Sequence, residues 1–372
     1  MKNTRLVLIL LAVLTLVCGL AAEERTFQVG EGGSLDINLE TGGSVEVEGS
    51  TINEVKVDWK IEGRDADNVQ VSVDRSGERV RIVSKYIENR RRNSSSVRLR
   101  ILIPNRFNLD IETKGGNINI ANVEGKIDGE TMGGNLVMLK LRGELKLKTM
   151  GGNIFLTDSD VDGKVSTMGG NITVNSVAGD VDVSTMGGNV NLDNVVQRGD
   201  HSIDKAVDVS TMGGNIVVAN APHGANIETK GGNILIKRSS KLIEAETMGG
   251  NISINEHDGQ VEASTMGGNI LVTIIPGGTN QSIDVRSRGG RIELTLPSEF
   301  SGDFDLELAY TRKASRDYEI ISDFPIQREE TAEWDGSRGD ARKYIYGTGT
   351  VGGGANKVKV RTVNGNIVIR KN

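Results

Sequence analysis

Sulfur, imidazole and aromatic side chains are all scarce in this chain, and each scarcity removes a class of function. Among 372 residues there is one cysteine, Cys18. No disulfide framework or thiolate metal site can therefore be built beyond the first few residues. The three histidines, His201, His223 and His257, lie in different settings and share no metal-ligand spacing. Aromatic residues make up only 3%, poor for a bulky globular core but sufficient for a thin one of Ile, Val and Leu. Proline occurs 5 times against 48 glycines, so the glycines read as turn residues of a regular fold rather than as low-complexity filler. No Ser-His-Asp set, phosphate-binding loop or dinucleotide fingerprint is present.

Basic residues are also in the minority, and an export signal sharpens the imbalance. Lys2 and Arg5 precede an apolar run from Leu6 to Val17, and Gly19-Leu20-Ala21-Ala22 offers small residues for cleavage before Glu23. The run is short for a membrane span, which needs about 20 residues. Cleavage after Ala21 or Ala22 is the expectation, with an uncleaved anchor or lipidation of Cys18 as alternatives; Val17 is large for a lipidation site. Loss of residues 1–22 takes the 44 basic residues to 42 against 50 acidic ones, a net charge of −8. That balance argues against a nucleic-acid partner, which calls for a basic stripe. It suits an extracytoplasmic protein of the periplasm, cell envelope or secreted fraction.

What the sequence has in abundance is one phrase. T-M-G-G-N-I at Thr167–Ile172 has near-copies starting at Thr113, Thr131, Thr149, Thr185, Thr211, Thr229, Thr247 and Thr265, and a worn copy at Ser287. The step is 18 residues except for 26 between Thr185 and Thr211 and 22 between Thr265 and Ser287. A fixed period of this kind marks a solenoid. Within one period, Ile172 and Val174 sit two apart, as do Val181 and Val183. Each coil thus holds two short strands, one turn at Gly169-Gly170 and another near Gly179. Val123, Leu141 and Val177 allow a short third side. A crossover helix does not fit in 18 residues, so the expected fold is an all-β, single-chain parallel β-solenoid, or β-helix.

The repeat assigns roles register by register. Thr185 shares the inward face with Val183, predicting a threonine ladder with hydroxyls on turn backbone. Asn117, Asn135, Asn153, Asn171, Asn189, Asn215, Asn233, Asn251 and Asn269 form a second register, expected to bond from coil to coil and to the backbone. The paired glycines are expected to supply the positive φ of a sharp turn. The third register holds Met132, Met150, Met168, Met186, Met212, Met248 and Met266, with Lys114 and Lys230 interspersed. Because lysine is rarely buried, this register is expected at the surface. It could serve as an adhesive apolar stripe or a thioether ladder for Cu(I); the lysines and the absence of a companion histidine weigh against copper.

The divisions expected are a signal over 1–22, an N-terminal β segment or cap over 23–112, solenoid repeats over 113–296, and a C-terminal cap with closing strand over 297–372. Residues 26–112 alternate with period two, as at Leu35, Ile37 and Leu39 or Val97, Leu99, Ile101 and Ile103. Thr41-Gly42-Gly43 reads as a degenerate first copy. Irregular β segments are expected to cap both ends, since bare strand edges invite aggregation; the ends are also where self-association could arise. Arg90-Arg91-Arg92 reads as a solvated loop. The interruption Val195 to Lys205, carrying Arg198, Asp200, His201 and Asp204, reads as a surface excursion.

No catalytic, cofactor-binding or metal-binding residue is assigned, and the chain reads as non-enzymatic. Repeats-in-toxin calcium turns need an Asp at a fixed place, but the second turns here read Gly125-Lys126 or Gly224-Ala225, which cannot ligate a hard cation. Polysaccharide-processing β-helices use long loops and aromatic platforms; between Thr113 and Leu296 the only aromatic is Phe155. Asp158, Asp160 and Asp162 cluster in one turn, yet adjacent coils do not extend the cluster.

The exported start, the alternating segment ending at Ile103-Pro104, the T-x-G-G-N-I repeats and the closing T-V-N-G-N-I at Thr362–Ile367 together resemble the bacterial putative adhesin family of β-strand-repeat domains. The resemblance covers most of residues 26–372. It implies an envelope or surface β-solenoid acting as an adhesin or scaffold, with a surface, glycan or envelope protein as partner; it brings no defined functional residues. An envelope-stress or regulatory accessory protein and a β-helix carbohydrate-active enzyme are the alternatives.

Overall fold

The computed structural model describes residues 23–88, 93–196, 206–278, 280–313, 317–337 and 339–372. Residues 1–22, where a signal was expected and Cys18 lies, the arginines 90–92 and most of the interruption after Val195 lie outside the described residues. The described chain is all-β, with 30 strands joined in one hydrogen-bonded sheet and a single 3-10 turn at Ala66–Asn68. Among the described residues no helix is long and apolar enough to cross a membrane.

The 18-residue period is a stacking offset. One parallel ladder runs Thr113, Thr131, Thr149, Thr167, Thr185, Thr211, Thr229, Thr247, Thr265 and Ser287, each residue the register partner of the next. A second runs Ile118, Leu136, Ile154, Ile172, Val190, Ile216, Ile234, Ile252, Ile270 and Ile292. The 26- and 22-residue steps therefore change no register: Thr185 still faces Thr211, and Thr265 faces Ser287. The strands on either side of each longer step keep their pairing, as they must when alternate side chains are committed to a buried face.

Alternation becomes burial directly. Ile172, Val174, Val181 and Val183 are at most 3% exposed, and their partners up and down the ladders extend the same apolar column. A third buried register runs through Val123, Leu141, Ser159, Val177, Val195, Ala221, Ser239 and His257. Its rungs pair as well, Ser159 with Val177 and Val177 with Val195, so the third apolar position noted at Val123, Leu141 and Val177 forms a buried register of its own.

The threonine ladder is buried and its hydroxyls are used twice. Thr167 Oγ1 donates to the Gly152 carbonyl of the preceding layer at 2.9 Å and accepts from Gly170 N–H of its own corner at 3.2 Å. The same pair of bonds recurs at Thr149, Thr185, Thr229, Thr247 and Thr265. In the asparagine register, Asn171 Oδ1 accepts the backbone N–H of Asn189 at 2.8 Å. Direct amide-to-amide bonds occur from Asn233 to Asn215 and from Asn251 to Asn233, both 3.2 Å.

The role expected of the paired glycines needs correction. From Gly133-Gly134 to Gly267-Gly268 neither glycine of a corner lies at left-handed φ; Gly116 does, at 107°. The second glycine is required instead by close approach. A Cβ on Gly134, Gly152, Gly170, Gly188, Gly214, Gly232, Gly250 or Gly268 would fall 1.8–1.9 Å from the carbonyl oxygen of the equivalent glycine one layer away. Left-handed backbone sits at the other bend, in Asn122, Lys140, Asp158, Ser176 and Asn194, with φ of 51–61°. These five are 18 apart, and three of the five are not asparagine, so the shared φ follows the stack rather than residue type alone.

Both ends are built largely of paired strands, with a less regular stretch over 331–337, and at both the chain order is transposed. Gly33–Leu39 lies between Phe107–Thr113 and Arg79–Tyr86, parallel to both. Gly43–Ser50 similarly lies between Ile118–Ala121 and Ser95–Pro104. The degenerate copy at Thr41 thus stacks on the first full repeat, and later residues lie outside it. Antiparallel strands Glu54–Gly63 and Val69–Ser76 then cover the outer layer. At the far end, Thr362 follows Ser287 and Ile367 follows Ile292 in register. Gly302–Thr311 and Ile320–Ser322 lie beyond them, and Arg342–Val351 and Gln327–Glu330 close the edge antiparallel. The outermost of these, Gln-Arg-Glu-Glu, is exposed throughout, the charged composition that discourages edge pairing.

Candidate functional site

At each glycine corner the residue after the buried threonine is held by its main chain and free at its side chain. Met150 N–H donates to the Thr131 carbonyl at 3.2 Å, and Met150 carbonyl accepts from Gly169 N–H at 3.1 Å. Met168 is fixed in the same way by Thr149 and Gly187. The side chain has no inward direction left, since the threonine beside it occupies the interior. Met132, Met150, Met168, Met186, Met212, Met248 and Met266 are accordingly 41–53% exposed. Met138, in a different register, is 1% exposed. The surface position expected from Lys114 and Lys230 is the observed one.

Along the edge the order is Lys114, five methionines from Met132 to Met212, Lys230, then Met248, Met266 and Arg288, all exposed. With about 4.8 Å between layers, the five consecutive thioethers make an apolar strip about 19 Å long with a cation at each end. Beside it on one outer face, Val137, Leu139 and Phe155 are 37–40% exposed. The sequence made Phe155 visible as a lone aromatic; its neighbours emerge only once the pairing of Val137 with Phe155 is known.

The other outer face carries charge. Glu228, Glu244, Glu246, Glu262 and Asp284 line a shallow depression of about 350 Å³, with Arg286 gripping Asp284 through two bonds of 3.0 and 2.7 Å. These carboxylates stack because alternate outward positions of successive layers coincide. That is legible only with the register in hand. Among the described residues no group of three or more His, Cys, Asp or Glu is placed to hold a metal ion.

The carboxylates Asp158, Asp160 and Asp162 are not brought together for chemistry. Asp158 forms the left-handed bend, Asp160 faces Arg142 at 3.8 Å, and Asp162 accepts Asp180 N–H at 2.8 Å. His223 lies 3.5 Å from Lys241 Nζ. His257 is fully buried in the third register. Its Nε2 lies 3.0 Å from the Gln260 carbonyl and so carries the proton, leaving Nδ1 to accept from Ser239 Oγ at 2.8 Å. Burial holds its pKa below the ordinary 6.5, as expected of an imidazole whose charged form is removed from water. His201 is outside the described residues.

Aromatic side chains collect at the C-terminal end. Tyr310 packs edge-on to Trp334 at 5.7 Å, Arg312 lies 5.1 Å over the same indole, and Tyr344 stacks on Tyr346. Tyr310 donates to the Glu330 carboxylate, which pushes its phenol up to about 12.

No family model and no curated protein matches the chain. Among solved structures, one described as a putative cell adhesion protein from Clostridium sporogenes ATCC 15579 is 10% identical. The match covers 95% of this chain and 100% of that one, with a TM-score of 0.16. Superposition that weak carries no argument about fold or function.

Proposed function

We propose that the chain is an exported, non-enzymatic parallel β-solenoid that works by binding, as an adhesin or envelope scaffold, with its methionine edge as the contact surface. The observation that carries this reading is the edge itself. Seven methionines 41–53% exposed are an unusual use of an apolar side chain, and flexible thioethers adapt to varied partner shapes. The flanking Lys114, Lys230 and Arg288 favour a partner with apolar body and anionic groups. Two parallel ladders in constant register, joined through a corner and a bend, support a single continuous winding. The export signal supports a location in the periplasm, envelope or medium.

The test is retention of the labelled mature chain on intact cells and on matrix glycans, alongside a variant with the five methionines from Met132 to Met212 changed to Gln. Binding that drops at least about tenfold, or 1.4 kcal/mol, in the variant supports the edge as contact surface. Equal binding by both would remove it. Turnover on a polysaccharide panel would instead favour the enzyme alternative, and fractionation to the inner envelope with no surface binding would favour the accessory role.

A further inference from the structure

We infer that the methionine edge is also a reversible oxidation site, one that converts an apolar strip into a polar one while the fold stays intact. Susceptibility of a thioether follows its exposure, and exposure divides the described methionines cleanly. Seven lie on the edge at 41–53%, and Met138 lies in the core at 1%. No cysteine competes in the chain after Cys18, so among the described residues exposed reducing sulfur is confined to one line of the surface.

The chemistry requires only a hydroperoxide. The peroxide passes one oxygen atom to the methionine sulfur, whose lone pair forms the S–O bond as the O–O bond breaks. Sulfur is oxidised by two electrons, and the peroxide leaves as water or the corresponding alcohol. The product is polar and chiral, which in a core would be disruptive. On this edge it disturbs nothing that holds the layers together. The bonds linking the layers here come from the main chain of Met150 and Met168 and from the Thr, Gly and Asn beside them, never from the thioether. The same exposure leaves each sulfoxide open to a reductase.

Five sulfoxides in succession from Met132 to Met212 would replace the apolar strip between Lys114 and Lys230 with a row of strong acceptors. Val137, Leu139 and Phe155 would remain as an apolar patch that peroxide cannot alter. The oxidation pattern stands on exposure alone. Its effect on adhesion rests on the binding proposed above, so the experiment reads out the surface directly and needs no partner.

Graded hydrogen peroxide is applied to the mature chain. Peptide mass mapping follows each methionine, retention on a phenyl column follows surface apolarity, and far-ultraviolet circular dichroism follows the fold. Expected are seven edge methionines oxidised at rates within about tenfold of one another, Met138 slower by about a hundredfold or more, retention falling with oxidation, and an unchanged melting temperature. A seven-site Met→Leu variant keeps its retention under peroxide; a seven-site Met→Gln variant starts with the low retention of the oxidised chain. Oxidation of Met138 alongside the edge, a melting temperature that drops as the edge oxidises, or an equal peroxide response in the Met→Leu variant would each overturn the inference. If cell binding proves independent of the edge while this pattern holds, the oxidation site stands and only the adhesive reading falls.

Discussion

A Cβ built on Gly170 would lie 1.9 Å from the carbonyl oxygen of Gly152, one layer away, whereas one built on Gly169 meets nothing nearer than 3.7 Å. The two glycines of each corner are therefore unequal. Gly170→Ala forces two layers apart or breaks the corner, at a cost of about 3 kcal/mol or more, in the range of strain and overpacking effects. Gly169→Ala, on a surface position with space around it, costs less than about 1 kcal/mol. Denaturant melts of the two variants compare them. Equal destabilisation would mean that conformational freedom, and not close approach, fixes the second glycine.

Thr167 poses a parallel question about its hydroxyl. Thr167→Val keeps the branched shape and removes both the bond to Gly152 and the bond from Gly170. It leaves a buried carbonyl and a buried N–H unpaired, which costs about 1–3 kcal/mol. Ser287 supplies the native control. Without the methyl group it still donates to Gly268 at 2.8 Å and accepts from Gly290 at 2.9 Å. Thr167→Ser should thus cost less than Thr167→Val. The reverse order in the melting data would show that the ladder depends on methyl packing.

The buried imidazole of His257 makes stability depend on pH. Burial lowers its folded pKa from 6.5, with Asp258 and the Gln260 carbonyl only partly opposing that shift. The unfolded chain then binds more protons than the folded chain once pH falls below about 6.5. Stability from this group is complete above that value and declines as pH drops toward the folded pKa. The paired change His257→Leu with Ser239→Ala removes the group and its hydroxyl partner together, so the stability slope between pH 6.5 and the folded value should flatten. An unchanged slope would place the acid sensitivity elsewhere.

Much of this arrangement was legible from the repeat alone. Period, strand pairs, inward threonine and outward methionine all follow from 18-residue spacing and two-residue alternation, because side-chain direction in a strand depends only on parity. The second glycine was legible as necessary but not for its reason: contact between Gly152 and Gly170 is 18 residues long and invisible to local turn rules. The left-handed bend at Lys140 and Ser176 was unreadable for the opposite reason, since neither residue type announces that conformation. The transposed ends were hidden because Gly33–Leu39 and Arg79–Tyr86 both alternate, and alternation specifies a face without naming a neighbour. The stacked carboxylates from Glu228 to Asp284, and the apolar group of Val137, Leu139 and Phe155, required the register across layers.

The methionine edge underlies both the binding and the oxidation proposals, and a distance measures it. The chain after Cys18 has no cysteine, so Met150→Cys with Met266→Cys takes two spin labels cleanly. These positions are 116 residues apart in sequence but six layers apart in the stack. At about 4.8 Å per layer, the stacked register predicts a single narrow distance distribution centred near 29 Å, broadened only by the label arms. A broad distribution, or a centre beyond about 40 Å, would contradict a continuous edge, and with it the surface on which the proposed function depends.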